Sequence, residues 1–331
     1  MTNRSFQGLS AYLPAIVVGV LLLQVAFIAS YTHGLNAPNE NDIPVDVVAG
    51  QKQVDRLAAG LGDVADRVDL NSVSTIEEGR DNIRDGSSFG IYAPERNELY
   101  IASAAGPPAT EIARRTMTAV AEQTRGSPET TDIAPLPEEN SRGLVGYYLV
   151  IGWLVGAYLL AAILGLYRGM SPATRARGLL RVGVFAVYSV VSGAAGTLIV
   201  DTGFGYLQGN GWVVFAIGSL LVFGVGMFTT ALECLAGLVG TGVAILLFVV
   251  LGNPSAGGPW PYVMQPDFYA AIGPWLPNGA ATTAVQRATY FDGHALLVPL
   301  LVIAGYALVG IIGTLALSGH RNRLVTLTEP S

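Results

Sequence analysis

The stretch WVVFAIGSLLVFGVGMFTTALECLAGLVGTGVAILLFVVL, residues 212–251, holds forty residues and one charge, Glu233. As a single α-helix it would be about 60 Å long at 1.5 Å per residue, twice the ~30 Å of hydrocarbon in a bilayer. The chain must therefore turn inside it. Thr230-Ala-Leu-Glu233 has the spacing of a capping box, in which the Thr hydroxyl caps the amide three residues on and the Glu carboxylate reaches back. This predicts that one span ends near Thr229 and the next begins near Ala231. The other role open to Glu233 is that of an intramembrane carboxylate serving a proton or a substrate.

Working outward, four more apolar runs are long enough to span: Ala11–Ser30, Leu144–Tyr167, Leu179–Val200 and Ala295–Leu317. The first is longer than a signal-peptide core and no A-x-A site follows, so it reads as a retained anchor. The chain of 331 residues is 51% hydrophobic and 13% charged, about half the charge of a soluble domain. The expected fold is a polytopic α-helical membrane protein of six transmembrane helices. Basic residues set its orientation. Arg4, the segment from Arg168 to Arg181 with Arg175 and Arg177, and Arg321 and Arg323 all fall on one side if six spans are counted. Both termini are then cytoplasmic in a multi-pass plasma-membrane protein. Ser171-Pro172 reads as the N-cap and first residue of the third span.

Between the first two spans, residues 31–143 carry 19 acidic and 10 basic residues, net −9. An acidic extracytoplasmic segment argues against nucleic acid or anionic lipid as its partner. Cys234 is the only cysteine, so no intrachain disulfide supports this segment and its own core must suffice. The pattern is mixed α/β. Strands are expected at Ile43–Ala49, Ser88–Ala93 and Leu99–Ala104, the last two forming a hairpin through Pro94–Asn97. Helices are expected at Gln51–Arg67, from a capping box Ser74-Thr-Ile-Glu77 to Arg84, and from Pro107 to Thr124, with a linker over Arg125–Arg142 after them. The chain thus divides into 1–30, 31–143 and a five-helix membrane domain with a tail, 144–331.

After Leu251 the chain enters GNPSAGGPWP, a loop that includes Asn253, in which Gly252, Pro254, Gly257, Gly258, Pro259 and Pro261 forbid a continuing helix. Two short helix-compatible pieces come next, Asp267–Gly273 and Gly279–Phe291, broken at Pro274 and Pro277. Neither can span. They predict a re-entrant helical hairpin before helix 6, its second piece starting at Gly279 with an apolar stripe of Ala281, Ala284, Val285, Ala288 and Phe291, its polar ends covered by neighbouring protein. The alternative is a helix lying flat at the interface with Trp260, Tyr262, Trp275 and Tyr290 as belt aromatics. Gly152-x-x-x-Gly156, Ser189-x-x-x-Gly193, Ser192-x-x-x-Gly196 and Ala236-x-x-x-Gly240 mark close helix contacts, either inside the bundle or across a homodimer seam.

Three stretches resemble the ABC-2 type permeases, in particular the phage infection protein branch and its uncharacterised relatives. They are IPVDVVAGQKQVDRLAAGL (43–61), VSTIEEGRDNIRDGSSFGIYAPE (73–95) and the segment from Leu246 to Gly293. The resemblance implies a membrane subunit that works as a dimer in export across the cytoplasmic membrane, driven by a separate ABC ATPase. Arg168, Arg175, Arg177 and Arg181 would contact that ATPase. The chain has no GxxxxGK[ST] sequence and a single lysine, Lys52, so it does not hydrolyse ATP itself. His33 and His294 lack the Cys or carboxylate spacing of a metal site. No catalytic constellation emerges and no cofactor is expected. The acidic outer segment also suits an ATPase-independent scaffold or surface receptor that acts through that domain.

Overall fold

The computed structural model describes residues 3–319 apart from 125, 208 and 209. Arg321 and Arg323 lie outside the described residues, as does the side chain of Arg4. Five helices are long and apolar enough to cross a membrane. They are α1 (Asn3–Leu35, apolar from Pro14), α5 (Val145–Arg168), α6 (Arg175–Phe204), α7 (Gly211–Ala236) and α11 (Leu297–Leu317). The protein is a multi-pass helical membrane protein.

Between α1 and α5 the chain folds into an α/β domain of β1 (Ile43–Val48), α2 (Gln51–Gly60), β2 (Val68–Val73), α3 (Ile76–Asp85), β3 (Gly90–Ala93), β4 (Glu98–Ile101), α4 (Pro107–Thr124) and β5 (Glu129–Asp132). The sheet order is β2-β1-β3-β4-β5. β1 lies parallel to both neighbours, β3 and β4 form the expected antiparallel hairpin, and β5 runs parallel to β4.

Alternation in β1 explains the layering. Ile43, Val45 and Val47 are fully buried against Val54 of α2 and Ala113 and Met117 of α4. Asp46 and Val48 point to the other face, toward α3, where Ile83 packs on Ile91. Asn82 donates to Asp46 at 2.9 Å. Burial raises the Asp46 carboxyl pKa above its ordinary value and the Asn82 hydrogen bond opposes the rise.

Two edge strands, β2 and β5, were not expected. The capping box of α3 lies one residue further on than expected: Thr75 caps the Glu78 amide at 3.1 Å and the Ser74 amide donates to the Glu78 carboxylate at 2.7 Å. Gly86, at φ 79, ends the helix.

In the membrane part α7 is central, packed against α5, α6 and α11. The forty-residue run turns later than its pattern predicts. Thr230 is not a cap: its hydroxyl donates to the Gly226 carbonyl at 2.9 Å, one turn back inside α7. Glu233 lies in the last turn of α7, its carbonyl accepting from the Gly237 amide, so the expected capping box is absent. The turn falls at Gly237, whose φ of 62 and ψ of −133 suit only glycine. Beyond it run α8 (Leu238–Ile245) and a π-helical turn over Leu246–Leu251. α6 also starts later than expected, at Thr174, whose hydroxyl caps the Arg177 amide at 3.3 Å, rather than at Ser171-Pro172.

Most of the small-residue motifs serve contacts inside the chain. Gly193 lies against Ser219 of α7, Gly156 against Tyr188 of α6, and Gly196 against the Trp153 ring, whose Nε1 donates to Ser192 O at 3.0 Å. Gly152 faces open space.

Thr75→Ala removes the α3 cap and is expected to cost about 1 kcal/mol, read as a lower unfolding midpoint of the full-length protein in detergent.

Candidate functional site

The π-helical turn creates a buried hydrogen-bonding need. With Gly252 N–H bonded to Leu247 O at 2.9 Å, five residues back, the Phe248 carbonyl is left without its helical donor. In the buried interior of the bundle such a group must be answered by protein. Asn278 answers it: its Nδ2 donates to Phe248 O at 2.8 Å and to Asn253 Oδ1 at 2.8 Å. Asn253 in turn donates to Tyr31 of α1 at 2.8 Å, and its carbonyl accepts from Tyr147 of α5 at 3.2 Å. Ser30 donates to Val250 O, and Tyr269 donates to Ser30. Gly252 is required because a Cβ there would collide with the Asn278 amide. Asn278 Oδ1 is buried with no partner among the described residues.

Asn278 is held by α10 (Pro277–Tyr290), which comes after α9 (Asp267–Ile272) and a 3-10 turn at Gly273–Trp275. α10 does not lie on the surface. Ala280, Ala281, Ala284, Val285 and Ala288 are at most 1% exposed and belong to the bundle core with α5, α7 and α11. Gly279 packs on the Gly273 carbonyl and Tyr262, Gly257 sits under Tyr262, and Gly258 lies against Tyr147. Pro254 abuts Gly34 of α1, Pro277 opens α10, and Pro274 is exposed beside Trp275. Of the remaining aromatics considered for a belt, Trp260 donates inward to Leu35 O at 3.0 Å and Tyr290 accepts from Asn140 at 3.1 Å.

The polar face of α10 carries the α/β domain. Gln286 donates to Ala104 O at 2.6 Å, Arg287 donates to Asp85 O at 2.9 Å, and His294 meets Asp85 at 3.0 Å. Asn140 bridges Tyr290 and the first amide of α5, at Val145. Sequence reading missed Asn278, Asn140 and Gln286. No local pattern marks them: Asn140 sits in Glu139-Asn140-Ser141 and Asn278 in Pro277-Asn278-Gly279, and their partners lie far away in sequence.

At the opposite end of the bundle the four basic-loop arginines separate. Arg168, Arg175 and Arg177 are exposed. Arg181 is 6% exposed, and its guanidinium donates to the carbonyls of Leu164, Gly169 and Met170. It caps the C-terminus of α5 and is not free for a partner protein. Nearby, Glu233 is fully buried. Thr241 donates to its Oε1 at 3.1 Å, while Oε2 has no partner among the described residues and faces Gly165 and Met170. Cys234 is buried beside it, its thiol directed at Met170 O. Among the described residues no cluster of three or more His, Cys, Asp or Glu is arranged to hold a metal.

Set against protein-family models, curated proteins and solved structures, the chain matches none.

These geometries give two expected outcomes. Asn278→Ala leaves the Phe248 carbonyl unanswered and should cost about 1–3 kcal/mol. Gly252→Ala strikes the same contact, so the double variant should lose less than the sum of the two in thermal unfolding. Arg181→Ala strips three carbonyls of a charged donor and should lower stability by about 2 kcal/mol, whereas Arg175→Ala and Arg177→Ala should leave the melting temperature unchanged.

Proposed function

We propose that this chain is the membrane subunit of an ABC-2-like export system of the phage infection protein branch. It works as a homodimer in the cytoplasmic membrane with a separate ABC ATPase. The observation that carries this reading is the order of its elements. One apolar helix is followed by an α/β domain, and among four further apolar helices a broken pair of short helices, α9 and the buried α10, comes just before the last. Little polar surface lines the bundle, which suits a lipid or other amphiphile as cargo.

Six crossings, with residues 31–143 extracytoplasmic and both termini cytoplasmic, are supported by which ends of the bundle touch. Cys234 meets Met170 at the C-terminal end of α5, while Asn253 meets Tyr147 at its N-terminal end. Residues 238–251 therefore connect the two ends. Their eight α-helical and six π-helical residues span about 21 Å. One further turn, in which Ser255 N–H bonds to Leu251 O, extends them toward the ~30 Å required. α10 then re-enters from the outer side and is covered by protein, as a broken helix at membrane depth must be, while α9 stays largely exposed at its entrance. The ATPase contact falls to Arg168, Arg175 and Arg177, with Arg181 positioning the end of α5 beneath them.

The test is to purify the tagged full-length protein from its native membrane in mild detergent and identify what accompanies it by mass spectrometry. An ABC ATPase at near-equal stoichiometry is expected. The double reversal Arg175→Glu, Arg177→Glu should remove it while the protein still inserts, and unchanged co-purification would overturn that contact. An envelope or secretion protein without an ATPase would favour the second reading, a scaffold or receptor acting through the α/β domain, whose hydrophobic core is substantially its own.

A further inference from the structure

A crevice of about 280 Å³ opens where the α/β domain meets the membrane helices. One wall is α3, with Arg80 and Arg84; the other is the end of α10, with Tyr290, Phe291 and Asp292. Arg80 is set apart from the other arginines of the domain. Its guanidinium lies 5.6 Å from the centre of the Tyr100 ring, and its Nε is buried with no acceptor among the described residues. A buried donor left open calls for an explanation. Arg84 reaches only Asp81, 3.2 Å away along the same exposed helix face, a pairing easily exchanged.

Both walls are held in place. Asp292 and Ala295 take left-handed backbone, φ 51 and φ 50, which non-glycine residues adopt only when held there. Arg287 holds that turn: its guanidinium donates to Ala295 O at 2.7 Å and its carbonyl accepts from the Gly293 amide at 2.9 Å. The second guanidinium nitrogen and His294 fix the turn to Asp85 at the end of α3. The backbone that carries Asp292 is thus fixed opposite the helix that carries Arg80 and Arg84, and all three residues line the gap.

We propose that this crevice binds a zwitterionic phosphate ester, its phosphate on Arg80 and Arg84 and its ammonium on Asp292. Arginine forks match phosphate oxygens. A plain dianion would meet Asp292 unfavourably, and a phospho-ammonium pair does not. The volume lies just under the ~300–1,000 Å³ of drug-sized pockets and suits a head group. Asp292 also stands only five residues before α11, one of the helices long and apolar enough to cross a membrane. The ligand chemistry is that of phosphoethanolamine, either free or as a lipid head group. The site is independent of the export reading, because its test measures binding and not transport.

The test uses the full-length protein. Native mass spectrometry counts lipids retained from bilayers of mixed phosphatidylethanolamine, phosphatidylglycerol and phosphatidylcholine. Calorimetry in lipid-depleted detergent titrates soluble phosphoethanolamine. The wild type is expected to retain phosphatidylethanolamine preferentially. Arg80→Ala should weaken binding about tenfold or more, Arg80→Lys less, and Asp292→Asn should erase the preference over phosphatidylglycerol. Retention of the lipid without binding of the soluble ester identifies a membrane ligand. Binding of both with the same sensitivity to the variants identifies the head group alone as sufficient. If Arg80→Ala fails to fold, Arg84→Ala and Asp292→Asn, both at exposed side chains, carry the test. Binding of neither probe by the wild type, or equal binding by wild type and folded variants, overturns the proposal.

Discussion

One side-chain amide holds the membrane part in its form. Where α8 winds into its π-helical turn, the Phe248 carbonyl loses its helical donor in surroundings that hold no water to replace it. The Asn278 amide supplies the missing hydrogen bond and adds a second to Asn253. Through Asn253 the same junction reaches Tyr31 and Tyr147, so α1, α5, α8 and α10 meet around one buried polar knot. The described attachments of α1 gather at its C-terminal end, around Ser30, Tyr31, Gly34 and Leu35, while side chains such as Val17, Leu21 and Leu22 stand exposed. Because α10 is fixed at its start, its remaining turns present Gln286, Arg287 and Tyr290 to the α/β domain in a defined register.

The long apolar runs were legible because transfer of twenty apolar residues into hydrocarbon dominates any local preference. β1, the hairpin and α4 were legible for a related reason, since alternation and turn residues agree with the tertiary fold. The Thr230–Glu233 pattern misled because a capping box works only where the backbone leaves the helix. Inside a continuous helix the Thr hydroxyl bonds one turn back instead, and Gly237 was the residue able to turn. β2 and β5 escaped notice because edge strands with one wet face, VDLNSV and ETTD, carry little hydrophobic pattern. Asn278 was hidden since nothing local reveals that a carbonyl thirty residues earlier lacks its donor.

The four arginines of the short basic loop show how depth along a helix separates equal residues. α6 begins at Arg175, and Thr174 fixes its first turn. Arg177 is still exposed, while Arg181, one turn further in, meets the Leu164 carbonyl of α5 and the Gly169 and Met170 carbonyls just after it. Glu233 lies near the same level with one oxygen unanswered among the described residues. Composition places all of these groups at one membrane face; only the register of α6 and the late turn at Gly237 distinguish the solvated ones from the enclosed ones.

The second core of the α/β domain is not made by that domain alone. Ile83 and Ile91 pack with Phe291, a residue synthesised some two hundred positions later. A chain emerging from the ribosome folds its early segments first, yet here the α3 face stays open until the final third of the protein has been made. The domain's completion is thereby tied to the docking of α10. A truncated or misassembled chain would display an unfinished hydrophobic face, a built-in mark by which quality control can recognise an incomplete molecule.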